Sequence, residues 1–206
     1  MKQAVFLDRD GTLIEEVGYL DCPEDIRVYP AAFDAVSKIN ESGALAIVIT
    51  NQSAVARGWV NEQDLQQWHQ LIARTFQANG SRLDGFYYCP HHPDMGSEPY
   101  KRVCTCRKPK PGLLQRAANE LNINLLSSYM VGDRLIDIET GHRASCGSIL
   151  VKSGCGLLEL DQLNNREKTD ADSVNHLQRP DQVVTDVLDG VKWILEQTSE
   201  QSFANH

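Results

Sequence analysis

Five short apolar runs, each followed by a stretch with helical spacing, restrict this chain more than any other feature. They are AVFLD (4–8), ALAIVIT (44–50), GFYYC (85–89), the run inside SYMVGD (128–133) and GSILVK (147–152). Strands apolar on both faces need cover on both faces, and strands alternating with helices provide it as a parallel sheet. The spacing predicts helices over Ala31–Ser42 after Pro30, from the capping Asn61 to Asn79, from Lys110-Pro111-Gly112 to Leu121, over Ile136–Ala144, and over Pro180–Glu196. In the Asn61 helix, Leu65, Trp68, Leu71, Ile72 and Phe76 form the apolar face, with His69 on the polar side. Residues 158–180 read as polar loops with a short strand near Ala171–Val174. The expected fold class is α/β, a Rossmann-like parallel sheet with helices on both faces. One domain is expected over 1–197, followed by a polar tail at 198–206.

Composition narrows the partners. The net charge of −8 speaks against a general nucleic-acid binder, which needs a basic face to displace counterions. An anionic small molecule needs only local positive charge. The start, MKQAVFLDRDG, is unlike a signal peptide, and no apolar run approaches the ~18–20 residues of a membrane helix. The expectation is a cytoplasmic protein with reduced thiols. Of six cysteines, Cys22, Cys146 and Cys155 are scattered, as core or loop residues are.

Ligands of parallel sheets bind beyond the carboxyl ends of the strands, and the reactive residues fall there. Asp8 and Asp10 follow the first strand, Thr50 and Asn51 close the second, and Asp133 follows the fourth. Asp8-Arg9-Asp10-Gly11-Thr12 could by itself be a turn. Two acids at the rim of a buried strand, however, repel unless a cation lies between them. With Asp133 they give three oxygen ligands with open positions, which suits Mg²⁺. Cys89-x-His91 and Cys104-x-Cys106 supply one His and three Cys, the set of a closed tetrahedral zinc site. The one-residue gap in each pair is shorter than usual, so unliganded thiols stay open as an alternative.

Four motifs in order, DRDGT (8–12), TN (50–51), RKPKPG (107–112) and GDRLID (132–137), resemble the haloacid dehalogenase superfamily in its phosphatase branch. The resemblance implies that Asp8 attacks phosphorus and forms an aspartyl-phosphate. Asp10 would protonate the leaving group and then deprotonate water. Mg²⁺ would be held by Asp8, the Asp10 carbonyl and Asp133. Thr50 or Asn51 would hydrogen-bond the phosphoryl group, and Lys108 would balance its charge. Asp137 is expected to support these groups or start a helix. A Cys-x-His…Cys-x-Cys loop before Arg-Lys-Pro occurs in the histidinol-phosphatase-like subfamily. It implies a structural zinc on Cys89, His91, Cys104 and Cys106, pinning a loop at about 89–110. The short spacing between motifs leaves no room for a large cap domain.

Three stretches, EVGYL (16–20), TNQSAVARGW (50–59) and CRKPKPGLL (106–114), resemble sugar-bisphosphate phosphatases of that subfamily. They imply substrate contacts from Arg9, Glu16, Val17, Gly18, Tyr19, Gln52, Ser53, Arg57, Arg107 and Arg134, with Arg57 and Arg107 serving a second phosphate. Arg134 stands where Lys is expected, which leaves its role open. Histidinol phosphate and other small sugar or polyol phosphates are the alternatives. The acidic balance disfavours a DNA 3′-phosphate end. Intact catalytic positions argue against a protein-binding zinc module on an inactive fold. A monomer acting on a small sugar phosphate is expected, with no nucleic-acid or membrane partner. His92, His142 and His176 are expected at the surface.

Overall fold

The first strand, β1 (Ala4–Leu7), is buried at all four positions, as a strand with sheet on both sides must be. In this computed structural model, which describes residues 1–18, 22–169 and 175–204, β1 lies mid-sheet between β2 (Leu45–Asn51) and β4 (Tyr129–Gly132). Beyond these lie β3 (Gly85–Cys89), β5 (Gly147–Val151) and β6 (Gln182–Val184). The order is β3-β2-β1-β4-β5-β6 and every pairing is parallel. The helices are α1 (Pro30–Glu41), α2 (Ser53–Ala56), α3 (Glu62–Ala78), α4 (Gly112–Leu121), α5 (Leu135–Arg143), α6 (Gly156–Thr169) and α7 (Val187–Ala204).

Successive side chains of β1 point to opposite faces, which splits the core in two. Val5 and Leu7 pack with Val36 of α1, Phe76 of α3 and Val191 of α7. Ala4 and Phe6 pack with Leu113 and Leu114 of α4. Burying one such large apolar side chain is worth roughly 1.5–3 kcal/mol. Local chemistry sets the helix starts. Pro30 opens α1, and the Asn61 side chain accepts from the Asp64 N–H at 2.8 Å to cap α3. The β1–β2 and β2–β3 connections carry α1, α2 and α3, so among the described residues no large cap domain covers the carboxyl edge.

Four elements differ from the sequence reading. Residues 156–169 are helical, not loop, because Leu163 packs on Leu135, Ile138 and Leu150. The last helix starts at Val187 rather than Pro180, since 182–184 pair with β5 as an edge strand, and it runs on to Ala204. The four-residue α2 was not anticipated. The strand expected near Ala171–Val174 lies outside the described residues. Among the described residues no helix is long and apolar enough to cross a membrane.

Register places the site. Leu7 pairs with Val48 and with Val131, so Asp8, Thr50–Asn51 and Asp133 emerge at one edge. The connections diverge there, since β1 has β2 on one side and β4 on the other, and such points form ligand crevices.

Candidate active site

Lys108 stands at the centre of the charge balance. It arrives from the loop before α4, and its side chain is buried with an exposure of 2%. Its ammonium lies 2.6 Å from Asp137 Oδ1 and 2.9 Å from Asp8 Oδ1, and it donates to the Ile49 carbonyl at 3.1 Å. Burial alone would push this ammonium down, but Asp137 and Asp8 outweigh it and the net shift is upward. Asp8, Asp133 and Asp137 lie within ligand range of one another, and all three are buried. Burial, then Asp137, pushes the Asp8 carboxyl well up, with Lys108 opposing. Burial and Asp137 raise Asp133 to about 7. The Cys155 N–H donates to Asp133 Oδ2 at 2.8 Å, but the buried Oδ1 has no donor. One lysine against three carboxylates, one of them with an orphaned oxygen, is the donor set of a hard cation such as Mg²⁺. Gly11, at φ +77°, makes this closeness possible, because a Cβ there would overlap the Asp133 carboxylate.

The Asp10 carboxylate is held from two sides. Arg9 Nη2 donates to its Oδ1 at 2.8 Å and Arg9 Nε to both oxygens at 3.1 Å. Gln52 Nε2 donates to Oδ2 at 2.9 Å and to Thr50 Oγ1 at 2.8 Å. Arg9 borders the cavity, yet its guanidinium is committed to Asp10 and to His69, whereas the sequence expectation is a substrate contact. His69 corrects a second expectation. It is buried on α3, stacked on Phe86 at 4.8 Å, because β3 lies against that side of the helix. Leu71, assigned to the apolar face, is 41% exposed. Burial first, then Arg9, lowers His69 to about 3.

Asp8, Arg9, Asp10 and Lys108 border a cavity of roughly 330 Å³. Thr50, Asn51, Gln52 and Ser53 form the β2 side, and Glu16, Gly18, Arg107 and Arg134 the rim. Asn51 exchanges hydrogen bonds with the Lys108 backbone, accepting at 3.1 Å and donating at 3.2 Å. Its side chain thus ties the β2 end to the Lys108 loop, leaving Thr50 the freer phosphoryl partner. Arg134 Nη2 pairs with Glu16 Oε2 at 3.3 Å across the rim. Arg57 is not on the cavity wall; its guanidinium lies over the Trp59 ring at 5.2 Å. Val17 is exposed and off the wall, and Tyr19 lies outside the described residues. Ala54 and Ile136 line the cavity and were not foreseen, because aliphatic residues carry no chemical signature in a sequence. His92 accepts from the Asp94 and Met95 N–H groups in an exposed turn. His142 packs into the fold on the Leu177 carbonyl and Asp181.

The cysteine loop follows β3. Cys89 Sγ lies 3.6 Å from His91 Nδ1 and from Cys104 Sγ. Cys106 Sγ lies 3.3 Å from Cys89 Sγ and from His91 Nδ1, and 3.2 Å from Cys104 Sγ. A tetrahedron with metal–sulfur bonds of about 2.3 Å has edges of about 3.8 Å, so a small expansion separates this cluster from a zinc site. Hydrogen bonds from Cys89, then Cys104 and His91, hold the Cys106 thiol down at about 5, while Cys89 is pushed up. The loop also grips its surroundings. Arg107 Nη1 donates to the His91 carbonyl at 3.1 Å. Gly96, at φ +85°, abuts Ala56 of α2 so closely that a Cβ would overlap its carbonyl oxygen.

A strand-end carboxylate paired with a buried lysine on this sheet is the arrangement of a HAD-like hydrolase. The HAD-hydrolase-like family model matches residues 105–190. The D-glycero-β-D-manno-heptose-1,7-bisphosphate 7-phosphatase of Photorhabdus laumondii is 40% identical over 152 residues, 73% of this chain and 81% of that protein. The enzyme of that name from Escherichia coli K12 is 38% identical over 152 residues, 73% and 80% of the two chains. The crystal structure of D,D-heptose 1,7-bisphosphate phosphatase from B. bronchiseptica, complexed with magnesium and phosphate, aligns with a TM-score of 0.78 at 27% identity. It covers 96% of this chain and 99% of that one. The chain therefore belongs to the heptose-bisphosphate phosphatase family of HAD-like phosphatases.

Proposed function

We propose that this protein removes the 7-phosphate of D-glycero-D-manno-heptose 1,7-bisphosphate, on the route to nucleotide-activated heptose for lipopolysaccharide core or related glycans. The observation that carries this reading is Asp8 paired to the buried Lys108 beside Asp10, in a chain about 40% identical to enzymes of that name.

The chain's own groups support each step. An Asp8 oxygen attacks phosphorus and the bond from phosphorus to the sugar oxygen breaks. Asp10 gives that oxygen its proton. Asp10 then takes a proton from water as the water oxygen attacks the aspartyl-phosphate, which frees Asp8 and releases inorganic phosphate. Lys108 and Thr50 face the transferring group from the β2 side, where fixed donors stabilise developing charge. Mg²⁺ on Asp8, the Asp10 carbonyl and Asp133 would neutralise the dianion approaching a carboxylate. Arg107 and Arg134 at the rim suit the rest of a bisphosphate. Glu16, Gly18 and Ser53 suit the sugar, and Val17 and Tyr19 belong to the same EVGYL motif. Zn²⁺ on Cys89, His91, Cys104 and Cys106 is structural, since four protein ligands leave no open position. The protein is read as a cytoplasmic monomer with one catalytic domain over 1–197.

A phosphate-release panel tests the substrate: heptose 1,7-bisphosphate in both anomers, fructose 1,6-bisphosphate and histidinol phosphate. The heptose bisphosphate is expected to be turned over most efficiently. Histidinol phosphate outpacing it would overturn the assignment.

A further inference from the structure

Behind Asp10 lies a buried polar chain that the phosphatase reading does not use. Arg9 is only 1% exposed although it carries a full charge. Two of its guanidinium nitrogens, Nε and Nη2, face Asp10, and the third, Nη1, points to His69 Nε2 at 3.3 Å. Arginine has no acceptor, so the imidazole Nε2 must present a lone pair and the proton must sit on Nδ1. The ring has little freedom to turn, stacked on Phe86 and 5.5 Å from the Tyr88 ring, both on β3. We propose that His69 is a positioning residue for catalysis: its Nε2 anchors Arg9, and the anchored guanidinium aims the Asp10 carboxylate at the leaving oxygen.

The geometry favours positioning over simple satisfaction of a buried charge. The Asp10 side chain is 23% exposed, so it reaches the cavity by one edge while Arg9 and Gln52 hold the others. A carboxylate gripped by a two-pronged donor takes its direction from that donor. The donor in turn takes its direction from α3, a helix outside the reacting centre, through one ring nitrogen. A small shift there would move Asp10 relative to the scissile oxygen, and misplacement of a general acid by an ångström is costly.

This inference rests on Asp10 acting as the general acid, and the test separates the two. The value read is kcat/KM, which reports steps up to formation of the aspartyl-phosphate. It is measured on heptose bisphosphate, whose sugar oxygen needs a proton, and on p-nitrophenyl phosphate, whose phenolate leaves without one. His69→Phe keeps a ring over Phe86 and removes the acceptor. It should lower kcat/KM about 10-fold on the sugar, a fraction of the ~10²–10⁴-fold worth of a general acid, and less than about twofold on the aryl ester. His69→Gln, which restores an acceptor without the ring, should recover most of the loss. Should the Phe variant fail to fold, His69→Leu carries the same expectation. Equal losses on both substrates, no loss, or a Gln variant no better than Phe would overturn the positioning role. Asp10→Asn is the reference. If it loses activity equally on both substrates, the acid assignment itself falls and the His69 proposal with it. If only Asp10→Asn shows the split, the acid stands and His69 alone is excluded.

Discussion

Lys108 sits closer to Asp137, at 2.6 Å, than to Asp8, at 2.9 Å. A lysine that served only the transferring group would not need the second acid. Asp137 Oδ2 also accepts from the Arg134 N–H at 3.1 Å at the start of α5, so one carboxylate caps the helix and fixes the ammonium. Removing Lys108 would leave three buried carboxylates facing one another. We expect Lys108→Met to abolish turnover and to cost the metal-free protein about 3–5 kcal/mol, the range for breaking a buried ion pair from one side. Adding Asp137→Asn should return part of that stability and none of the activity. Urea denaturation beside a turnover assay distinguishes the two contributions. A double variant no more stable than Lys108→Met would mean that charge balance is not what Lys108 provides.

The zinc prediction concerns the loop rather than the chemistry. Protein purified without chelator should carry about one zinc per chain, by the closed four-ligand set. Cys104→Ser or Cys106→Ser should lower the thermal midpoint and reduce activity through the Arg107–Lys108 backbone, leaving the Mg²⁺ requirement intact. Elemental analysis without zinc would return the four residues to three thiols and an imidazole that share hydrogen bonds.

Stability should carry the mark of His69. Its folded value of about 3 lies below the ordinary 6.5, so the unfolded chain binds the proton first. The stabilisation is complete above 6.5 and is lost as pH falls from there toward about 3. Asp133, raised to about 7, works the other way in the metal-free protein, because its folded carboxyl keeps a proton that the unfolded one releases. A comparison of wild type with His69→Phe cancels the Asp133 contribution. Between pH 7.5 and 5 the wild type should lose about 2 kcal/mol more than the variant, at ~1.4 kcal/mol per unit below 6.5. Parallel pH profiles would show that His69 is not held neutral.

What was legible in the sequence was whatever a strand end makes local. Asp8, Asp10, Thr50, Asn51 and Asp133 each follow an apolar run, and the parallel register brings those ends together without further information. His69 was not legible, because its burial comes from Phe86 on β3 and Arg9 in the loop after β1, while a helical wheel sees only neighbours three and four apart. The α6 helix was missed for a related reason. Leu157 and Leu158 at its start are exposed, and Leu163 is the one fully buried leucine in it, so the apolar stripe is too thin to read. The edge strand β6 has three residues with only Val184 buried, below what alternation can resolve. Arg57 and Arg107 read alike as cations near strand ends, yet only Arg107 borders the cavity.

That difference between the two arginines gives the last prediction. The cysteine loop holds the Arg107 backbone beside Lys108, and its guanidinium is anchored on the His91 carbonyl at the cavity rim. Under the proposed function it would meet a second phosphate away from the reacting centre. Arg57 lies over Trp59 instead. A charge-assisted hydrogen bond is worth roughly 1.5–3 kcal/mol, so losing one should cost on the order of 10- to 100-fold in efficiency. Arg107→Ala should therefore lower kcat/KM on heptose bisphosphate by that factor and on p-nitrophenyl phosphate by far less, since the small ester has no second phosphate to bind. Arg57→Ala should cost less than Arg107→Ala on the bisphosphate, through the loop it packs on, and should not separate the two substrates. Equal losses for Arg107→Ala on both substrates would move Arg107 from the second phosphate to the transferring one. A substrate-selective loss in Arg57→Ala would mean that its side chain leaves Trp59 and swings to the cavity when the bisphosphate binds.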